Sequence, residues 1–274
     1  MAAVVVICVV VTVSSGAATK NGTFVAASPT VVKELTNIPL AEFNKIAVNP
    51  APTAVSGPTK LVDQPTLTKT TASGALPEVF YLGAEYCPFC AAQRWGTIIA
   101  LSRFGTWSGL GNTSSYSGDE YPNTASFTFI RAKYTSKYVA FSSVEEYANY
   151  IDPSTNYYAL IQNPTAADDA LWKKYDSRAY LPYLTTADAG AIPFVYYGGK
   201  YESSGSSFTP QLLAGLSRND IAKNLSKTTN PVTKAIISAA NYQSAAICAM
   251  TDGKPGSVCN SSGVRAAAKA LGKK

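Results

Sequence analysis

The sequence predicts an α/β fold in which strands and helices alternate along the chain. A β-rich apolar run at 78–83 ends in glycine and predicts a buried strand. A helical pattern at 88–104 follows, and an alternating strand pattern occupies 127–132. A further strand at 191–197 is followed by the hairpin turn Gly198-Gly199. Strand, helix and strand in this order predict a right-handed crossover and a parallel strand pair.

An apolar segment begins the chain. Residues 2–13 are almost entirely apolar, and residues 14–18 are small. This pattern is typical of a signal peptide cleaved after Ala18, although counting through Ala18 brings the run close to the roughly 20 residues of a membrane anchor. We assign residues 1–19 to a signal peptide or membrane anchor. The remainder of the chain is therefore expected outside the cytoplasm, either secreted or anchored.

Residues 20–75 are predicted to form an N-terminal extension. A small polar tether leads to two short helical turns within 29–47, which Pro39 separates. Residues 49–75 contain four prolines and many threonines, which predict a loop with room for one hairpin.

A helical insertion is predicted at 143–184, inside a main domain that covers 76–228. Ser143 with Glu146 fits a capping box, and Asn163-Pro164 fits a helix start.

Two further helices are expected after the last strands. The first begins at Thr209-Pro210 and runs to about Leu225, and the second covers about 231–250. The second helix belongs to a C-terminal helical extension at 229–274.

Charge and composition exclude several functional classes. The net charge of +6 arises from 23 basic and 17 acidic residues scattered along the chain, so no nucleic-acid partner is expected. The chain has no histidine, which excludes a hydrolase triad built on histidine and removes the commonest zinc ligand.

The segment Cys87-Pro88-Phe89-Cys90 lies where the first strand gives way to a helix. Unpaired N–H groups and the positive end of the helix dipole stabilise a thiolate at that place. Cys87 is therefore the predicted exposed nucleophile, and Cys90, one turn further along the helix, is the predicted resolving thiol. Half of a zinc site and a purely structural disulfide are the alternatives for this pair, and we expect neither a metal nor a cofactor.

Cys248 and Cys259 bracket a polar turn that contains proline and glycine. In an oxidising compartment this spacing predicts a structural disulfide, and the alternative is a shuttle pair that relays electrons to Cys87.

The segment 84–90 resembles the thioredoxin superfamily, with a centre similar to the Cys-Pro-Phe/Tyr-Cys of glutaredoxins. Ala191-Ile192-Pro193 resembles the second hallmark of the superfamily, a cis-proline that faces the dithiol. The resemblance implies a thioredoxin-like fold in which Ile192, Pro193, Pro88 and Phe89 contact the substrate. The long segment between the second strand and Pro193 is similar to the helical insertion of periplasmic disulfide oxidoreductases of the DsbA type.

Two details qualify this resemblance. Tyr81 occupies the place where thioredoxins carry a buried carboxylate, so Glu85 and Lys133 are the two candidates for proton transfer. The segments 83–95 and 247–259 also resemble an uncharacterised archaeal and actinobacterial family, domain of unknown function 929, which implies no substrate.

The resemblance and the dithiol together predict a protein thiol-disulfide oxidoreductase outside the cytoplasm. Its expected partners are protein thiols and disulfides and a membrane redox partner, and the sequence does not distinguish oxidase, reductase and isomerase. The alternative is a non-catalytic binding module of the same fold whose cysteines form structural disulfides.

Overall fold

A computed structural model of the chain describes residues 23–48, 54–186 and 188–272. The predicted signal peptide or anchor at 1–19, with its cleavage position, lies outside these residues. Within the described ranges, no helix combines the length and the apolar character needed to cross a membrane.

Helices occur before the first strand, between strands and after the last strand. They are α1 (Pro29–Thr36), α2 (Leu40–Ile46), α3 (Pro88–Ser102), α4 (Ala166–Tyr175), α5 (Arg218–Asn224), α6 (Pro231–Met250), α7 (Gly256–Cys259) and α8 (Ser262–Leu271), with a 3-10 turn at Pro210–Leu213. Pro39 separates α1 from α2, which confirms the two predicted short helices.

Strands fill most of the middle of the chain. They are β1 (Thr59–Lys60), β2 (Thr68–Thr71), β3 (Gly74–Gly83), β4 (Gly105–Ser108), β5 (Gly111–Ser114), β6 (Ala125–Thr128), β7 (Lys133–Ser136), β8 (Ala140–Glu145), β9 (Tyr147–Asp152), β10 (Tyr157–Leu160), β11 (Phe194–Tyr197) and β12 (Tyr201–Ser204).

A six-stranded mixed sheet organises the molecule. Its order is β1-β12-β11-β3-β2, and β8 pairs with the part of β3 that β2 leaves free. β8 runs parallel to β3, whereas β11 and β12 form the predicted antiparallel hairpin around Gly198-Gly199. The structure therefore confirms a mixed α/β architecture.

The two faces of β3 bury different cores. Val79 and Tyr81 pack with α3 and α6 in the larger core, while Phe80 and Leu82 face a smaller core that includes Tyr175 at the end of α4. This division follows from the alternation of side chains along a strand. Since α6 is buried along most of its length, the predicted C-terminal extension supplies a central part of the core.

The prediction of a helical insertion over 143–184 is wrong for its first half. Residues 140–145 form β8, and residues 147–160 form the β9–β10 hairpin, so Ser143 and Glu146 do not cap a helix. Pairing along β3 outweighs the local helix signal, because the parallel ladder satisfies the backbone of β8. The helix that does form, α4, begins after Thr165, whose side chain makes a capping box with Asp168.

The prediction that the strand at 127–132 pairs in parallel with β3 is also wrong, because β8 takes that place. The strand expected at 127–132 overlaps β6, which ends at Thr128 and pairs antiparallel with β5 instead of with β3. A turn closed by the Ala132 N–H on the Phe129 carbonyl then reverses the chain.

The helix predicted from Thr209 to about Leu225 is divided in two. Gly215 has a positive φ of 72°, which ends the 3-10 turn, and Ser217 caps the new helix α5 through the N–H of Asp220.

Cys248 and Cys259 are joined in a disulfide, as the sequence predicted, with their Cα atoms 5.6 Å apart. The bond ties the last turn of α6 to α7.

Candidate functional site

The site is built where β3 ends and α3 begins. Cys87 is the N-cap residue of α3, and its sulfur accepts the backbone N–H of Cys90 at 3.1 Å. Pro88 at the first helical position has no N–H to satisfy and is compatible with helical φ. The sequence therefore places the sulfur of Cys87 against the orphan N–H groups of the helix.

The two thiols of this centre are both free and differ in acidity. Burial alone would raise the pKa of Cys87, but hydrogen bonds from Cys90 and the charge of Arg94 outweigh burial and hold that pKa below its ordinary value. Burial, followed by the hydrogen bond and charge of Cys87, raises the pKa of Cys90 well above its ordinary value. Cys87 is accordingly the thiol that ionises first.

The expected exposure of Cys87 is wrong. Only 5 % of the residue reaches solvent, and Cys90 is fully buried. The loop before β11 covers the sulfur, because the Ile192 carbonyl lies 3.7 Å from Cys87 Sγ and the Ile192–Pro193 peptide bond is cis. The predicted contact residues Ile192 and Pro193 therefore do lie next to the dithiol.

The two residues between the cysteines differ in exposure. Pro88 is buried, whereas Phe89 is 38 % exposed and packs edge-on against Tyr121 at a ring distance of 5.9 Å. Phe89 is thus the accessible side chain within the motif.

A buried ion pair lies behind the dithiol. Arg94 donates from Nε and Nη2 to the two carboxylate oxygens of Glu145, at 2.8 and 2.5 Å, and from Nη2 to the Ala84 carbonyl at 2.7 Å. Neither side chain of the pair is exposed to solvent. Although burial lowers the pKa of Arg94, the charge of Glu145 raises it further, so Arg94 remains a cation.

Tyr81 completes the buried surroundings of the thiols. The Arg94 guanidinium lies 5.8 Å from the centre of its ring, and burial raises the pKa of Tyr81 well above its ordinary value. Gly83 leaves room for this phenol, since a Cβ there would collide with the Tyr81 hydroxyl. Within the described part of the chain, Tyr81 Oη and Arg94 Nη1 are buried atoms without a hydrogen-bond partner.

The two predicted proton-transfer candidates occupy different environments. Glu85 is buried two residues before Cys87, and burial raises its pKa although Thr128 and Thr113 hydrogen-bond to it. Lys133 is an exposed residue at the start of β7, opposite Ser108 of β4. The charge of Arg94, by contrast, lowers the pKa of both thiols.

Sequence reasoning missed Glu145 and the tyrosines of the β9–β10 hairpin. Both lie in the segment assigned to a helical insertion, where the capping pattern at Ser143 was misleading. A hairpin signal was available, because the turn residues 152–156 separate two tyrosine-rich runs.

No group of three or more cysteine, aspartate or glutamate side chains in the described ranges is arranged to hold a metal ion.

Comparisons with known proteins identify the family alone. The family described as Domain of unknown function (DUF929) matches residues 67–249, so the chain belongs to this family. No curated protein and no solved structure matches the chain.

Proposed function

We propose that this member of the DUF929 family is a protein thiol-disulfide oxidoreductase with a thioredoxin-like fold that acts outside the cytoplasm. The observation that carries the proposal is the unequal dithiol at the start of α3. Cys87 Sγ accepts the Cys90 N–H, and the pKa of Cys87 is lowered while that of Cys90 is raised. This difference favours attack by Cys87 and leaves Cys90 as the resolving thiol.

Three features support membership of the thioredoxin superfamily. The dithiol follows a central strand, Ile192–Pro193 faces it, and an antiparallel hairpin follows Pro193. The segment before Pro193 differs from the all-helical insertion expected by analogy with DsbA-type enzymes, because it holds the β9–β10 hairpin as well as α4.

The reaction proceeds in two exchanges. The Cys87 thiolate attacks a substrate disulfide, the substrate S–S bond breaks, and the leaving substrate thiolate takes up a proton. Cys90 then loses its proton and attacks Cys87, which releases the second substrate thiol. The substrate gains two electrons and two protons, and Cys87 and Cys90 become a disulfide. The reverse sequence oxidises a substrate dithiol.

Arg94 has a defined part in this chemistry. Its positive charge favours the thiolate form of both cysteines. Glu145 fixes the orientation of the guanidinium through two hydrogen bonds, and among the described residues it makes no hydrogen bond to either sulfur. We therefore assign Arg94 and Glu145 as positioning residues. Buried Glu85 remains our candidate for proton transfer with Cys90, since its raised pKa makes the carboxylate a stronger base for the Cys90 proton and the carboxylic acid a donor in the reverse step.

The compartment and the partners follow from the same proposal. The Cys248–Cys259 disulfide supports an oxidising compartment, in agreement with the apolar segment at 1–19. Protein disulfides or thiols are the substrates. After each reaction, a membrane redox partner would return Cys87 and Cys90 to the oxidation state in which they react with the next substrate.

Redox titration of the purified protein tests the proposal. At each redox potential, free thiols are alkylated and mass spectrometry then measures which cysteines remain in disulfides. A catalytic pair titrates above roughly −280 mV, whereas structural disulfides lie below about −300 mV. Titration of Cys87 and Cys90 in the structural range, without turnover of any disulfide, would instead favour the binding module.

A further inference from the structure

A cluster of tyrosines borders the nucleophile. Tyr86, Tyr147, Tyr157 and Tyr158 form what we name the tyrosine surface. Tyr86 and Tyr158 are stacked with ring centres 3.8 Å apart, and Tyr147 contacts Tyr86 and Tyr157 at 6.4 and 5.4 Å. Tyr157 is 52 % exposed, and the other three are partly exposed.

The fold attaches this surface directly to the dithiol. Tyr86 precedes Cys87 in the chain, and the Glu85 N–H donates to the Tyr147 carbonyl at 2.8 Å. The remaining rings belong to the β9–β10 hairpin, which lies outside the main sheet. These rings are therefore within reach of residues that flank a substrate cysteine bound at Cys87.

Three carboxylates of the described residues lie at the tyrosine surface. Asp119 is close enough to affect Tyr158, Glu146 hydrogen-bonds with Tyr147, and Asp152 lies opposite Tyr157 in the hairpin register. The segments 104–130 and 138–172 contain no lysine or arginine, although the chain as a whole carries a net charge of +6. The negative potential is therefore local to this side of the site.

Building on the function proposed above, we propose that the tyrosine surface selects substrate segments in which lysine or arginine flanks the reacting cysteine. Tyrosine faces attract an ammonium or guanidinium group, and the aliphatic stems of these residues pack on the rings. The three carboxylates add attraction at longer range. An anionic segment is repelled by the same groups.

Peptide disulfides that differ only beside the cysteine test this inference. One peptide carries arginine there, and matched peptides carry citrulline, glutamate or phenylalanine. The second-order rate of reaction with the reduced protein is measured at low and high salt. We expect the arginine peptide to react about tenfold faster than the citrulline peptide, and the ratio to fall as salt screens the charges.

Two variants and one control assign the effect to the surface. Tyr157→Leu and Asp119→Asn should each reduce the ratio of arginine to citrulline rates. Asp252→Asn, at an exposed turn after α6, should leave the ratio unchanged. Equal rates for arginine and citrulline, or a faster phenylalanine peptide, would overturn the inference.

Neutral 2-hydroxyethyl disulfide separates this inference from the proposed function. Retained reaction with this small disulfide, together with no preference among the peptides, would reject cationic selection alone. Absence of reaction with every disulfide, including this one, would reject the oxidoreductase proposal and the inference that rests on it.

Discussion

Arg94 and Glu145 form a bidentate ion pair that joins α3 to the end of β8, and neither side chain is exposed to solvent. The pair fixes a positive charge behind Cys87 and Cys90. Because it is shielded from water, this charge acts on the sulfurs more strongly than a surface charge would. The ion pair therefore couples the packing of the parallel strand to the acidity of the dithiol.

The two thiols of the reduced protein should be alkylated at very different rates. Iodoacetamide near neutral pH should modify Cys87 at least about tenfold faster than Cys90, because the Cys87 pKa is lowered and the Cys90 pKa is raised. Peptide mass spectrometry at short times measures both rates. Cys90→Ser should accumulate mixed disulfides that Cys87→Ser does not form. Equal rates for the two thiols, with no trapped species, would contradict the assigned roles.

Removing the Arg94 charge should raise the pKa of Cys87. Arg94→Gln should shift the pH profile of Cys87 alkylation upward, since the cation favours the thiolate. The single variant should also lose roughly 3–5 kcal/mol of folding free energy, because it leaves the Glu145 charge buried and unpaired.

Two further variants separate the electrostatic effect from lost stability. The double variant Arg94→Gln, Glu145→Gln removes both charges and should recover much of the stability while retaining the raised Cys87 pKa. Arg103→Gln alters a half-buried arginine that bonds Asn241 and Ser244, and it should leave the Cys87 profile unchanged. An unchanged profile in Arg94→Gln would refute the positioning role.

The disulfide between Cys248 and Cys259 should contribute to stability and not to turnover. Replacing both cysteines with serine opens a loop of sequence separation 11, which should cost about 2–3 kcal/mol in the chain-entropy model. Thermal unfolding and a disulfide-exchange assay are measured on the same protein. Loss of exchange in a folded double variant would instead identify this pair as an electron relay.

Glu202 should make stability depend on pH. Its side chain on β12 is fully buried, and neither carboxylate oxygen has a hydrogen-bond partner among the described residues. Burial, aided by the charge of Asp176, raises the pKa of Glu202 to about 8. Between the ordinary glutamate pKa and this value, the unfolded chain releases a proton that the folded protein keeps, so folding stability falls as pH rises.

Glu202→Gln should remove this loss of folding stability at high pH. We expect the variant to match the parent at pH 4 and to exceed its stability at pH 8.5 by on the order of 3 kcal/mol. Denaturant unfolding at the two pH values measures the difference. Glu120→Gln, at an exposed position, is the control and should show little change. The same gain at both pH values would mean that Glu202 is not neutral in the folded protein.

The sequence by itself determined the strand-to-helix position of the dithiol, the disulfide of the C-terminal turn, and the hairpin that follows Pro193. These features depend on local rules: a β-rich run, a proline at the start of a helix, and two glycines in a turn. Each rule involves residues only a few positions apart in the chain, so the feature can be predicted from the sequence alone.

Only the tertiary structure decided which strand lies beside β3, what covers Cys87, and which charge acts on the thiols. β8 is a strand because its backbone completes the ladder with β3, and this pairing brings Glu145 to Arg94, 51 residues away in the chain. The Ile192 carbonyl reaches Cys87 across 105 residues. Such contacts depend on the packing of distant segments, which local propensity does not encode.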